Sequence, residues 1–198
     1  VHDLDDVLRS VRRYLAATLG EPWVIYLARS DVADDDRPAA LIDAGDLRAP
    51  AGRATLHQGP VEHTLPLTVT CWPSPAPETW AAHTARGLAS QLNALVVHGL
   101  DLGQDANGRP VAGPYRIPLY DYSDVPVIGG TPGPADPYDR LWVDSHSTRA
   151  FQDPGDPRRW NVVLELTLSW ETPGRLGPEA DAPITAAMPV TYRGRVNP

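Results

Sequence analysis

Lysine is absent from the chain, cysteine occurs once, and no apolar run approaches the length needed to cross a bilayer. Without lysine there is no amine for a Walker-type phosphate loop, a Schiff base or a pyridoxal anchor. With Cys71 alone no intrachain disulfide can form, a usage that fits synthesis in a reducing compartment. A spanning helix needs ~20 consecutive apolar residues, and the opening "VHDLDDVLRS" starts with acids rather than with a basic region and an apolar stretch. The chain is therefore expected to be soluble and to carry no targeting segment. Positive charge is also short: the formal net charge is -8 and arginine supplies all 17 fixed positive charges. A non-specific grip on nucleic-acid phosphates or on an anionic membrane is disfavoured, because such binding runs on positive charge.

What the chain does have is patterned polarity. Its 198 residues suit one domain with an appendage, and 22 prolines with 16 glycines predict much loop or extended backbone. Leu4, Val7, Leu8, Val11, Leu15 and Leu19 form an apolar stripe at helical spacing. Asp3, Asp5 and Asp6 occupy its first turn and Gly20 with Pro22 closes it, which predicts a helix over 3–19. "WVIYLA" from Trp23 and "AALIDAG" from Ala39 read as short strands flanking the acidic loop "SDVADDDRP". "VEHTLPLTVTCW" alternates, with Val61, His63, Leu65, Leu67, Val69 and Cys71 on one face. Pro66 within it has no N–H for a ladder and predicts an edge or a bulge.

A second helix is predicted over "TWAAHTARGLASQLNALVVHGL", packed across the sheet, with Trp80, Thr84, Leu88, Leu92, Leu95 and Val96 near one face and Gly99 as its stop. Residues 100–139 are dense in Gly, Pro and Asp, and only "YRIPLYDY" looks extended; an inserted arm with little packing of its own is expected. "RLWVDSHSTRAF" and "RWNVVLELTLSWE" flank "QDPGDPR" and predict a long antiparallel hairpin. On its second strand Trp160, Val162, Leu164, Leu166, Leu168 and Trp170 share one parity, while Asn161, Glu165, Thr167, Ser169 and Glu171 share the other. The expected fold is α+β: a mixed, mainly antiparallel sheet whose long C-terminal hairpin is packed by two amphipathic helices. It occupies 1–172 as a single domain with the inserted arm at about 100–139, and 173–198 form an extended tail.

Chemistry is sparser than the residue types suggest. "DSH" at 144–146 holds the types of a serine triad, but strand alternation sends Asp144 and His146 one way and Ser145 the other, and no G-x-S-x-G elbow is present. The histidines at 2, 57, 63, 83, 98 and 146 include no H-E-x-x-H and no i, i+4 pair, and His83 and His98 lie about four turns apart on one helix. His63, on an apolar strand face, reads as a hydrogen-bonded core histidine, and Cys71 on the same face as a buried inert thiol. Asp34, Asp35 and Asp36 have the oxygens for a hard cation, yet a run of like charge reads first as a solvated loop tip. "DLGQDANGRPVA" fails as a calcium loop, since Gly108 as the turn glycine puts Gly103 and Pro114 at the first and last ligand positions. "GGTPGP" lacks the lysine and the helix of a phosphate cradle. Arg158 and Arg159 beside the hairpin turn suit either solubility or contact with an acidic partner. No catalytic residue, metal or cofactor is expected.

The order of elements resembles the tail terminator (tail completion) proteins of long-tailed bacteriophages. The resemblance rests on "LRSVRRYLAATL", "RPAALIDAG", "HTLPLTVTCW" followed by "GLASQLNALV", and "RLWVDSHSTRAF" paired with "RWNVVLELTLSWE", over about residues 3–99 and 140–171. It implies an assembly function: a six-membered ring of this chain that caps the tail tube, stops its polymerisation and offers its other face to the head-to-tail connector protein. Double-stranded DNA would then pass through without specific binding, and the protein would sit in the virion at the head-proximal end of the tail. On that reading Arg149, Arg158, Arg159 and Thr167 are candidate interface residues, and Asp34, Asp35 and Asp36 candidate lumen residues. Two alternatives are another neck or tail protein, such as a head-to-tail adaptor or tube subunit, and a small α+β enzyme.

Overall fold

A computed structural model of the chain describes residues 3–27, 37–48, 61–99, 113–122, 125, 132 and 140–172. Two helices and six strands follow the order α1 (Leu4–Leu19), β1 (Val24–Leu27), β2 (Ala39–Ala44), β3 (Val61–Trp72), α2 (Glu78–His98), β4 (Arg116–Pro118), β5 (Arg140–Asp153) and β6 (Asp156–Thr172). The strands form one sheet in the order β1-β2-β3-β6-β5-β4. Its pairs are antiparallel except β1 with β2, which run parallel. The fold is thus α+β, with the mixed, mainly antiparallel sheet and the long hairpin that the alternation predicts. No helix among the described residues is long and apolar enough to cross a membrane.

One side of the sheet carries the core. Leu65, Leu67, Val69 and Cys71 of β3 and Val162, Leu164, Leu166, Leu168 and Trp170 of β6 are buried together with Val7, Val11, Tyr14 and Leu15 of α1 and Leu88, Leu92, Leu95 and Val96 of α2. Both helices therefore lie on this side. α2 rests on the hairpin strands β5 and β6, whereas α1 reaches β1, β2 and β4, so the sheet curls until both of its edges meet one helix. The Tyr14 hydroxyl donates to the Leu95 carbonyl at 3.4 Å and ties the helices together.

Asp3 caps α1 through a reciprocal box: the Asp6 amide donates to Asp3 Oδ1 at 2.9 Å and the Asp3 amide to Asp6 Oδ2 at 3.3 Å. Asp6 also reaches across the fold. It is 4% exposed, and its Oδ1 accepts the Tyr122 amide at 2.7 Å while Ser10 Oγ accepts the Tyr120 amide at 3.0 Å. These bonds hold the segment after β4 against α1, and Ile117, Leu119 and Tyr122 are buried. Within the stretch expected to be an arm, the segment that looked extended thus packs on the fold through Ile117, Leu119 and Tyr122, while Pro114, Tyr115 and Asp121 stay exposed; the rest of 100–139 lies almost wholly outside the described residues.

Two further expectations are corrected. On α2 the buried face is Ala81, Ala85, Leu88, Leu92, Leu95 and Val96, while Trp80 stands 61% exposed. The small alanines let the helix start approach closely, and ranking faces by the bulkiest apolar residue puts Trp80 on the wrong side. Pro66 does not mark an edge strand, since β3 lies between β2 and β6, but it marks an irregularity on the β2 side, where the ladder stops at Ala44–Leu67 and the Arg48–Thr64 bridge beyond it is shifted in register by one residue. It sits one residue past the last β2 partner, Leu67, and its carbonyl accepts the Gly45 amide at 2.9 Å. In a strand a residue's N–H and C=O point to the same side, so the missing donor faces the place where β2 has ended.

Candidate functional site

The sheet face opposite the helices is mostly polar along the hairpin and open around Glu165 and Thr167, while Val163 and Ser169 on it are buried. Four side-chain hydrogen bonds tie β5 to β6 there. Ser169 Oγ donates to Asp144 Oδ1 at 2.9 Å and Ser145 Oγ to Thr167 Oγ1 at 2.9 Å. Glu165 accepts from Ser147 Oγ at 2.9 Å and from Arg149 Nη2 at 3.2 Å. Pro66, Thr68, Ser145, Ser147, Glu165 and Thr167 border a solvent-open hollow of about 320 Å³ on this face. Its size is in the range of a ligand site, but its hydroxyls and carboxylate are bonded to one another rather than aimed at a common point.

The row exists because of a bulge. Val143 pairs with Leu168 and Ser145 with Thr167, which makes Asp144 the extra residue. Asp144 and Ser145 therefore both lie on the open face, and the parity of the strand inverts. His146, opposite Leu166, turns to the helix side, where its Nε2 is 3.0 Å from Asn93 Oδ1 on α2. The expectation that Asp144 and His146 share a face is thus corrected: the carboxylate and the imidazole lie on opposite sides of the sheet. Strand alternation alone carries no signal for a bulge.

The hairpin continues beyond the sheet. The last β3 partner on β6 is Val162, opposite Cys71, so residues 156–161 run on for about 20 Å at the rise of a strand. Among the described residues no strand pairs with the outer edge of β5 after Trp142. Near the tip Trp160 packs against the core, and Phe151, opposite Asn161, is 39% exposed. Arg37, Arg158 and Arg159 line a narrow crevice with Pro73, Ala81 and Trp160, where the tip meets the start of α2. Arg159 Nε pairs with Asp156 at 3.2 Å.

The four candidate interface residues thus fall into two groups. Arg149 and Thr167 stand in the polar row, and Arg158 and Arg159 stand at the tip. The candidate lumen residues Asp34, Asp35 and Asp36 lie outside the described residues. His63 is a bonded histidine on the core side, with its Nε2 2.9 Å from Thr172 Oγ1 and its ring stacked on Trp170 at 5.3 Å. Cys71 is fully buried, and burial pushes its thiol from an ordinary 9.0 up to about 12, which keeps it protonated and unreactive at neutral pH. Among the described residues no three His, Cys, Asp or Glu side chains converge as a metal site.

No protein-family model matches the chain, and no curated protein matches it.

Proposed function

We propose that this chain is a tail terminator of a long-tailed bacteriophage: a structural subunit that forms a ring on the tail tube, ends its growth and presents the joint to the head connector. The observation that carries this reading is the hairpin. One face of β5 and β6 is filled by α2, and the other carries a row of bonded hydroxyls and charges that is exposed at Glu165 and partly exposed at Thr167. Beyond Trp142 the outer edge of β5 has no strand beside it among the described residues. A long open edge invites pairing with another chain, and repeated heterologous contacts that close into a ring leave no free end. The order of elements that resembles the tail terminators adds to this, as does the net charge of -8, which lets a DNA duplex pass without being held.

Particles assembled without this chain test the reading. The expected outcome, seen by negative-stain microscopy, is head-free tails of irregular, often excessive length beside filled, tailless heads. Tails of normal length joined to heads would refute it. Normal heads with no tails at all would favour a tube subunit.

A further inference from the structure

Between the bulge at Asp144 and the irregularity after Gln152, β5 keeps one register with β6, and no strand among the described residues lies on its outer side. Along this edge alternate residues point their N–H and C=O groups away from β6. Arg149 is the one fixed charge between Ser145 and Gln152, and no proline interrupts them, so the stretch lacks the usual devices that blunt an edge. On the helix side His146, Thr148 and Ala150, opposite Leu166, Leu164 and Val162, are only half-buried. Thr148 Oγ1 is itself buried and has no hydrogen-bond partner, although buried polar groups normally find one.

The sequence holds a segment that suits this edge. Residues 190–196, "VTYRGRV", lie outside the described residues. Val, Thr and Tyr favour strands, and Val190, Tyr192 and Val196 share one parity while Thr191, Arg193 and Arg195 share the other. Residues 173–189 connect this segment to Thr172, which ends β6 beside the start of β5. Fully extended, that connection spans about 55 Å, and the far end of the open edge lies about 45 Å from Thr172 at the rise of a strand. A segment tethered this closely meets its own edge at an effective concentration on the order of millimolar, which favours it over the same segment of another molecule.

We infer that residues 190–196 add to the outer edge of β5, between Ser145 and Gln152, as a further strand of the same chain. Val190, Tyr192 and Val196 then lie on the helix side over Thr148 and Ala150, and Thr191, Arg193 and Arg195 on the polar face. Main-chain bonds hold such a strand and its alternating side chains set the register. The contact is made within one molecule and stands whatever the chain assembles into. Where the edge takes a neighbouring chain, as in the proposed function, the segment keeps it closed beforehand and is what the neighbour displaces.

Amide hydrogen exchange of the purified full chain, resolved by NMR at a concentration where it sediments as a monomer, tests this. The amides of 190–196 and the outward amides of Ser145–Gln152 should exchange about tenfold or more slower than in an unstructured peptide. Tyr192→Pro removes a ladder donor from the middle of the segment. It should speed both sets about tenfold or more, while the β5 amides that face β6 and those of the β3–β6 ladder stay unchanged. Ala180→Pro, in the connection, should alter neither set. Unprotected amides across 190–196 in the wild type would overturn the inference. So would outward β5 amides that Tyr192→Pro leaves protected, which would give the edge to another segment, or protection that appears only as concentration rises, which would give it to a second copy. Unprotected amides here leave tube-capping untouched, and a failed capping assay leaves this contact untouched.

Discussion

The two faces of β6 lie one residue apart in sequence and obey different rules. On the covered face Val162, Leu164, Leu166, Leu168 and Trp170 are each at most 5% exposed and pack on the helices; here shape and volume decide which residues are allowed. On the other face Glu165, Thr167 and Ser169 bond across to β5; Ser169 is buried, but Glu165 and Thr167 border a hollow open to water, so their bonds are worth little to the isolated fold. Residues that order one another without stabilising the monomer much are what an interface needs before its partner arrives. If the proposed assembly role holds, the strand serves folding on one side and assembly on the other, and substitutions on its two sides should separate them.

The sharpest way to break that contrast is an acidic residue on each face. Leu166→Asp buries an unpaired charge against α2 and should cost roughly 3–5 kcal/mol, comparable with the whole stability of many domains. Thr167→Asp should change the urea midpoint by no more than about 0.5 kcal/mol, as for most open surface positions. Equal losses would mean that the face assignment carries no physical weight.

The contrast was legible in sequence because period-two alternation persists through most of β6, and the same holds for α1, whose stripe, acidic start and Gly20 stop agree with one another. Where the pattern failed, a local detail overrode it. The bulge at Asp144 resets the parity of β5 without any change in composition. On α2 alanine rather than tryptophan faces the sheet, since close approach of a helix favours small residues. The parallel pairing of β1 with β2 is a matter of connection and not of residue pattern. Of the candidate site, the polar row containing Thr167 could be read from alternation. The crevice could not: it joins Arg37 to Arg158 and Arg159 across more than half of the chain.

Asp6 offers the next largest effect, in the other region that sequence reading missed. Its carboxylate both closes the α1 cap and accepts the buried Tyr122 amide. Asp6→Ala leaves that amide without its acceptor and should destabilise by about 2–3 kcal/mol, because bonds to a charged acceptor are the strong ones. Hydrogen exchange should quicken first at Tyr120 and Tyr122. Unchanged exchange there would show that the segment is held by its buried side chains alone.

A smaller effect is expected from pH. Burial raises the Cys71 thiol from 9.0 to about 12, so the unfolded chain releases this proton at lower pH than the folded one. The stability from keeping the thiol neutral is fully present below pH 9 and is lost as pH climbs from there towards 12. By pH 10 the loss should be about 1.4 kcal/mol, one pKa unit's worth. Cys71→Ala should remove that component of the slope, whatever its constant cost in packing. In the native state at pH 8 a thiol reagent should react with Cys71 far more slowly than after unfolding in urea. Identical alkaline slopes for both proteins would show that the thiol titrates alike in the folded and unfolded chains.

The smallest effect on folding should come from the pair that looks most like a structural bond on the open face. Arg149 and Glu165 meet at 3.2 Å, but their side chains are 67% and 50% exposed, and exposed pairs of this kind contribute about 0–1 kcal/mol. A double-mutant cycle with Arg149→Ala and Glu165→Ala should give a coupling below about 0.5 kcal/mol in urea melts at physiological salt. If the open face is an interface, the same cycle measured on assembly should give a larger coupling, because a neighbouring subunit removes the water that screens the pair. Equal couplings in both measurements would mean that nothing covers this part of the hairpin, and the face would then have to work, if at all, at its tip and edge.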